Sequence, residues 1–164
     1  MTLNPEWRVR LENWKAALEK LMFVPLAEAP VEGFITRKQL SAAEAARGRF
    51  RPMKAGTPWG AKWEYAWFRG AFRLPREAAG RRIVLRWGHA GTFTLNAGGD
   101  SRIHVNGREV GGSDWAHPDL LLTPSGRPGQ AFQILIESYA GHGPMVCEAG
   151  PWPEGHPSVP EPPP

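Results

Sequence analysis

The most polar constellation in the sequence is a glycine-rich loop over residues 111–118. Asp114 and His117 are three residues apart in this loop, with Trp115 between them. An aspartate can accept hydrogen bonds from vicinal sugar hydroxyls, an indole ring can pack on sugar C–H groups, and a histidine can orient such a pair. Loop aspartates also commonly accept hydrogen bonds from nearby backbone N–H groups. The loop is therefore the candidate ligand or interface site, with purely local bonding as the alternative.

Tryptophan is the other unusual residue type, with eight copies in 164 residues. Trp59, Trp63 and Trp67 are close enough in sequence to form an aromatic platform for a glycan. Trp67 lies in an apolar segment that reads as a central strand, which favours a place in the core. Trp59 lies in a Pro-Trp-Gly turn and is the fourth candidate contact residue for a ligand or an interface.

Metal and nucleophilic chemistry find little support in the sequence. Cys147 is the single cysteine, so no disulfide and no cysteine-based zinc cage can form within the chain. The five histidines are scattered, without the short pairings of known zinc motifs: His89, His104, His117, His142 and His156. No Gly-x-Ser-x-Gly elbow is present. The sequence predicts neither a cofactor nor a metal in this chain.

A glycosidase acting alone needs two carboxylates facing each other across a cleft. The acidic residues considered for this role are Asp100, Asp114, Asp119 and Glu137. No spacing pairs any two of them, and Glu137 is expected at a strand end, bonding to a neighbouring loop. We predict no catalytic residue in this chain.

Charge and hydropathy exclude two classes of partner. The 20 basic and 16 acidic residues are interspersed and accompany no nucleic-acid-binding motif. No stretch approaches the roughly 20 apolar residues of a membrane span, and no signal-peptide pattern opens the chain. With one cysteine, the composition favours a cytoplasmic protein.

An amphipathic helix is predicted at the start of the chain. Asn4 followed by Pro5 is a typical N-cap with proline at the first helical position, and Pro25 ends the pattern. The apolar positions recur at spacings of three and four: Trp7, Leu11, Trp14, Leu18, Leu21 and Met22. Such a stripe is expected to pack against this domain or against one outside this sequence.

The remainder predicts short strands separated by glycine and proline turns. Ser41 and Glu44 form a capping box for a short connecting helix, and Asn106-Gly107 predicts a type I′ hairpin turn. The segment 63–74 is apolar on both faces, which predicts a central strand, and further apolar strand segments lie at 81–87, 93–95, 103–110 and 131–137. This pattern predicts a mainly β protein, an antiparallel jelly-roll (galactose-binding-like) β-sandwich with an N-terminal helix.

Four segments follow from this pattern. The helix occupies residues 1–25, a connector with the short helix 26–56, and the sandwich 57–147. Residues 148–164 contain PWPEGHPSVPEPPP and predict an extended proline-rich linker.

The segment from about 50 to 140 resembles the N-terminal domain of glycoside hydrolase family 38 α-mannosidases of the bacterial and cytosolic or vacuolar type. The landmarks in order are Pro58-Trp59-Gly60, Trp67-Phe68-Arg69 with Leu74-Pro75, Val105-Asn106-Gly107 with Gly111, Asp114, His117, and Glu137 before Tyr139-Ala140. An amphipathic helix ahead of them is also typical of that family.

The resemblance implies an accessory sandwich that precedes a catalytic barrel, a helical domain and further sandwich domains. It also implies one zinc ion in the barrel, held by two aspartates and two histidines that have no counterpart in these residues. The expected role is to pack against, position or oligomerise those catalytic and helical parts. The alternative is a stand-alone module that binds mannose-type glycans.

Overall fold

The computed structural model describes residues 4–54, 57, 59, 63–87, 100–114 and 117–140. Among these residues, α1 (Pro5–Met22) and α2 (Ala42–Ala45) are α-helices, and a 3-10 turn covers Arg76–Ala78. The strands are β1 (Val31–Thr36), β2 (Arg51–Pro52), β3 (Tyr65–Arg73), β4 (Ile83–Arg86), β5 (Ser101–Val105), β6 (Arg108–Ser113), β7 (Asp119–Thr123) and β8 (Ala131–Tyr139). The strand predicted around 93–95 and the linker predicted over 148–164 lie outside the described residues.

The strands within the described residues form two antiparallel sheets. One has six strands in the order β2-β1-β3-β8-β5-β6, and the other pairs β4 with β7. The predicted mainly β, antiparallel architecture with an N-terminal helix is confirmed.

Both helix caps follow the sequence prediction. The Asn4 side chain accepts a hydrogen bond from the Glu6 N–H at 3.0 Å, and Pro5 is the first helical residue. At α2 the Ser41 hydroxyl accepts from the Glu44 N–H, and the Glu44 carboxylate accepts from the Ser41 N–H at 2.8 Å. These reciprocal bonds satisfy the orphan N–H groups that open a helix.

The segment predicted as a connector, 26–56, contains two strands of the large sheet. β1 pairs with β3 along its whole length, and Gly33 lies opposite Phe68. A Cβ at Gly33 would come within 2.6 Å of the Met53 sulfur and 3.0 Å of the Phe68 ring, so a larger residue here would have to displace both side chains. Because this glycine interrupts the apolar alternation of β1, the sequence pattern did not reveal the strand.

The core lies between the two sheets and is built mainly by β3, β8 and β5. β3 pairs with β8 over nine residues, with Phe68 opposite Ile136 and Phe72 opposite Phe132. The buried core residues are Ala66, Phe68, Leu74, Ala78, Ile83, Ile103, Val105, Phe132, Ile134 and Ile136. Leu85 and Trp87 pack against this cluster, as the alternation over 81–87 predicts.

The opposite face of the six-stranded sheet, here called the outer face, carries Trp67. Trp67 is buried but is not a member of the core cluster. It lies opposite Phe34 of β1, whose ring packs edge-on against Phe50 at 4.9 Å. The chain before β2 therefore folds over the outer face at β1.

The β5–β6 hairpin has the predicted turn. Asn106 and Gly107 both have positive φ angles, 51° and 78°, as a type I′ turn requires. The Asn106 side-chain oxygen also accepts from the Gln133 N–H at 2.9 Å, which fastens the turn to β8.

Replacing Ile136 by alanine should lower the free energy of unfolding by about 2–5 kcal/mol, because a large core side chain is lost. Ile136 is 2% exposed, whereas Ile35 is 42% exposed, so Ile35→Ala is the matched control. That control should cost less than about 1.5 kcal/mol. Urea unfolding measures both, and equal losses would contradict a core placed between the sheets.

Candidate functional site

The predicted loop site lies between β6 and β7. The Asp114 carboxylate accepts from the His117 backbone N–H at 2.6 Å, and the His117 ring Nδ1 lies 3.1 Å from both carboxylate oxygens. The Asp114 N–H in turn donates to the His117 carbonyl at 3.3 Å. The structure therefore brings Asp114 and His117 together, and these contacts close the loop locally. Their role in binding a ligand stays a prediction, and Trp115 lies outside the described residues.

Trp59 lies at the margin of the core. Its ring is half-buried and packs edge-on against the Phe68 ring, with centroids 5.7 Å apart. The Trp87 ring contacts the same Phe68 at 4.8 Å. These contacts give Trp59 a packing role, and its role as a ligand contact stays a prediction.

The structure shows a polar cluster on the outer face that sequence reasoning missed. Glu137 lies within β8 and not at its end, opposite Trp67 of β3 on one side and Arg102 of β5 on the other. Its side chain is only 9% exposed. The expectation of a strand-end residue is wrong, because β8 continues through Tyr139 and pairs on both edges.

The negative charge of Glu137 is only weakly balanced by positive charge within this cluster. The Arg102 guanidinium lies 3.8 Å from the Glu137 carboxylate and 3.9 Å from the Glu109 carboxylate. Burial raises the pKa of the Glu137 carboxyl. Nearby Arg102 and His104 lower this pKa, and nearby Glu109 raises it further. Burial dominates because a desolvated carboxylate favours its neutral form.

Two buried nitrogen atoms lie on the same face without a hydrogen-bond partner among the described residues. They are the Trp67 indole Nε1 and the His104 Nδ1. The other His104 ring nitrogen, Nε2, is 3.9 Å from the Glu109 carboxylate. The sequence contains one signal for this cluster. In the alternation of β8, Leu135, Glu137 and Tyr139 share the face opposite Ile136, which places Glu137 on the outer face.

The acidic side chain of Asp119 in β7 also has a structural contact. Asp119 binds the Arg86 guanidinium in a fork, with both N–O distances 2.7 Å, a geometry that matches the two planar groups. Arg86 also stacks over the Phe23 ring at 4.5 Å. The residue that follows α1 is thereby held against β4 and β7.

The helix α1 itself has an uncovered apolar side. Its large apolar residues are 44–78% exposed: Trp7, Val9, Leu11, Trp14, Leu18, Leu21 and Met22. The apolar stripe expected to pack against a partner is thus solvent-exposed in the part of the chain that the structure describes.

Within the described ranges, no three histidine, cysteine, aspartate or glutamate side chains are grouped so as to hold a metal ion. Among the same residues, no helix combines the length and the apolar character needed to cross a bilayer.

Comparison with known families decides the family of the chain. The family described as "Alpha-mannosidase, jelly roll domain" matches residues 24–156. The chain belongs to this family. The resemblance to an N-terminal α-mannosidase domain and the jelly-roll fold are confirmed. The match includes β1 and β2 and begins just after α1, so the mannosidase jelly roll extends into the segment predicted as a connector.

Solved structures resemble the mannosidase jelly roll at low identity. The β-glucuronidase from Ruminococcus gnavus, in complex with a C6-substituted uronic isofagomine, is 14% identical with a TM-score of 0.51. The alignment covers 85% of this chain and 27% of the glucuronidase chain. The apo form of a β-glucuronidase from the same organism is 13% identical, with a TM-score of 0.44. The alignment again covers 85% of this chain and 27% of the glucuronidase chain. At this identity the first likeness shows the fold alone, and the chain spans about a quarter of the glucuronidase. No curated protein matches the chain.

Replacing Glu137 by glutamine should stabilise the domain more at pH 7 than at pH 4. A raised folded-state pKa means that the stability contributed by Glu137 is present below about pH 4.3 and is lost as the pH rises through the raised value. Glutamine cannot ionise and avoids that loss. Urea unfolding of both proteins at the two pH values measures the difference.

The control for this comparison is Glu12→Gln on the exposed surface of α1. This change should alter stability little at either pH. A gain for Glu137→Gln at pH 4 that equals the gain at pH 7 would contradict the burial of an ionisable Glu137.

Proposed function

We propose that this domain is a non-catalytic accessory domain of a glycoside hydrolase family 38 α-mannosidase. It packs against and positions a catalytic part that lies outside these 164 residues. The observation that carries the proposal is the family match over residues 24–156, which names the jelly-roll portion of an α-mannosidase. A zinc ion would belong to the catalytic part, and the whole enzyme would act in the cytoplasm.

The chemistry of the described acidic side chains supports a non-catalytic role. Asp114 closes its own loop, and Asp119 holds Arg86. Glu137 is buried on the outer face beside Arg102. A retaining glycosidase needs two carboxyl groups about 5 Å apart across an open cleft. These three carboxyl groups each have structural contacts that do not require a substrate.

The exposed apolar side of α1 supports a packing role. Leaving several large apolar side chains in water forgoes about 25 cal/mol of stabilisation for each Å² that a partner would cover. Single exposed apolar residues are common on protein surfaces, but a contiguous patch of this kind typically marks an interaction surface. The alternative is that the same surface joins copies of the enzyme into a homo-oligomer.

Deleting residues 1–164 from the enzyme that contains them should reduce aryl α-mannoside hydrolysis at least about tenfold, as loss of a positioned neighbour can. Addition of the purified 164-residue chain to the truncated enzyme should restore part of that activity. The chain by itself should hydrolyse none. Full activity of a well-folded truncated enzyme would contradict the proposal.

Mannose and short manno-oligosaccharides should cause no saturable change in the tryptophan fluorescence of the chain up to millimolar concentration, the range of weak single-site binding. The expectation follows because the Asp114 and His117 groups are already bonded to each other. A saturable change that disappears in Trp115→Ala and His117→Ala would favour the carbohydrate-binding alternative.

A further inference from the structure

One arginine on the outer face lies between two carboxylates without a hydrogen bond to either. The Arg102 Nη1 is 3.8 Å from the Glu137 carboxylate, and the Arg102 Nε is 3.9 Å from the Glu109 carboxylate. Both distances exceed that of a hydrogen bond. The Glu137 side chain is 9% exposed, whereas the Glu109 side chain is 59% exposed. One guanidinium therefore lies within reach of a buried acid and an exposed acid.

Two other arginine–carboxylate pairs between neighbouring strands are closed. Arg86 of β4 contacts Asp119 of β7 at 2.7 Å, and Arg69 of β3 contacts Glu32 of β1 at the same distance. Short charge-assisted hydrogen bonds of this kind hold a guanidinium in one position. Arg102 differs from them because two carboxylates compete for it.

His104 is a second β5 side chain beside Glu109. Its Nε2 is 3.9 Å from the same carboxylate oxygen that Arg102 approaches. Its Nδ1 is buried without a hydrogen-bond partner among the described residues. The tautomer that carries its hydrogen on Nε2 directs that hydrogen toward Glu109. Both β5 side chains therefore face the carboxylate of β6.

The titratable and charged groups of β3 and β8 nearest Glu137 on the outer face are engaged elsewhere. Arg69 is bound to Glu32. The Tyr65 ring stacks on the Tyr139 ring, with centroids 4.7 Å apart. Burial raises the pKa of Tyr139, so this hydroxyl is neutral below about pH 9. Arg102 is therefore the permanent charge whose position can respond when Glu137 ionises.

The strand that carries Glu109 is an edge strand. Within the described residues, β6 is the last strand of the large sheet and pairs with β5. The register of this pair shifts between Ile103 and His104, so a bulge lies beside the polar cluster. A bulge disrupts the ladder locally, and side-chain contacts to Glu109 then contribute more to holding β6. β6 ends at Ser113, directly before the loop closed by Asp114.

We propose that Arg102 is a pH-dependent switch between Glu109 and Glu137. It binds Glu109 while Glu137 is neutral, and it turns inward to Glu137 when that carboxyl loses its proton to solvent. An ionised carboxylate in a buried site gains more from an arginine than an exposed carboxylate does. The turn removes a contact from β6, so this edge strand opens more readily at higher pH. The switch belongs to the domain itself and does not depend on the proposed function.

Amide hydrogen exchange of the full 164-residue chain tests the switch. It is measured at about pH 5 and about pH 7.5, on either side of a raised glutamate pKa, and the rates are corrected for the intrinsic pH dependence of exchange. The 13C resonance of the Glu137 carboxyl shows that this group ionises between the two values. The corrected rates over β6 should be about two- to fivefold higher at the higher pH, the range that one exposed ion pair contributes.

Three variants separate the switch from the burial of Glu137. Glu109→Gln keeps the buried carboxyl and removes the exposed partner, so its β6 amides should exchange equally at both pH values. Glu137→Gln leaves Arg102 with Glu109 and should keep the slower exchange at both. Glu32→Gln is the matched control, since Glu32 belongs to the Arg69 pair, and it should retain the pH dependence of the parent.

Two outcomes would overturn the inference. One is a pH dependence of β6 exchange that persists in Glu109→Gln, because it would then come from the burial of Glu137 alone. The other is equal corrected exchange over β6 at both pH values in the parent. Loss of the pH dependence in Glu109→Gln and in Glu137→Gln, but not in Glu32→Gln, is the result that the switch predicts.

Discussion

The nine-residue antiparallel pairing of β3 with β8 is the contact on which the other strands depend. Both strands lie in the middle of the six-stranded sheet and are flanked by β1 and β5. Their inner side chains, Phe68 and Ile136 among them, form the centre of the core. Their outer side chains, Trp67 and Glu137, are also buried. Two buried faces leave these strands little freedom of register, since a slip by one residue would exchange the faces.

Burial on both faces also explains why polar groups on the outer face are costly. A carboxylate removed from water is unfavourable unless hydrogen bonds and opposite charge compensate it. Glu137 has an arginine near it at a distance longer than a hydrogen bond, and the Trp67 and His104 nitrogens have no partner among the described residues. Among the described residues, the buried polar groups of the outer face are therefore less completely hydrogen-bonded than those of the inner face.

Local signals in the sequence predicted the elements whose formation depends on neighbouring residues. The Asn4 cap, the Ser41–Glu44 capping box and the Asn106-Gly107 turn each depend on side chains within a few residues. β1 was missed because its place in the sheet depends on contacts with β3, and Gly33 interrupts its apolar pattern. Glu137 was misplaced for a similar reason, since its burial comes from strands distant in sequence.

The candidate loop site was only partly predictable. The pairing of Asp114 with His117 is local and was anticipated as the alternative to ligand binding. The half-burial of Trp59 could not be anticipated, because it depends on the Phe68 ring, which is nine residues away. The apolar stripe of α1 was evident from spacing, whereas its exposure depends on what the rest of the chain covers.

We propose that this domain acts by packing on a catalytic part outside these 164 residues. Hydrogen–deuterium exchange of the α1 amides tests it most directly, because exposed helices exchange far faster than helices packed at an interface. The account predicts rapid exchange over residues 5–22 in the isolated chain and at least about tenfold slower exchange when the catalytic part is present. Identical exchange in the two samples would contradict it.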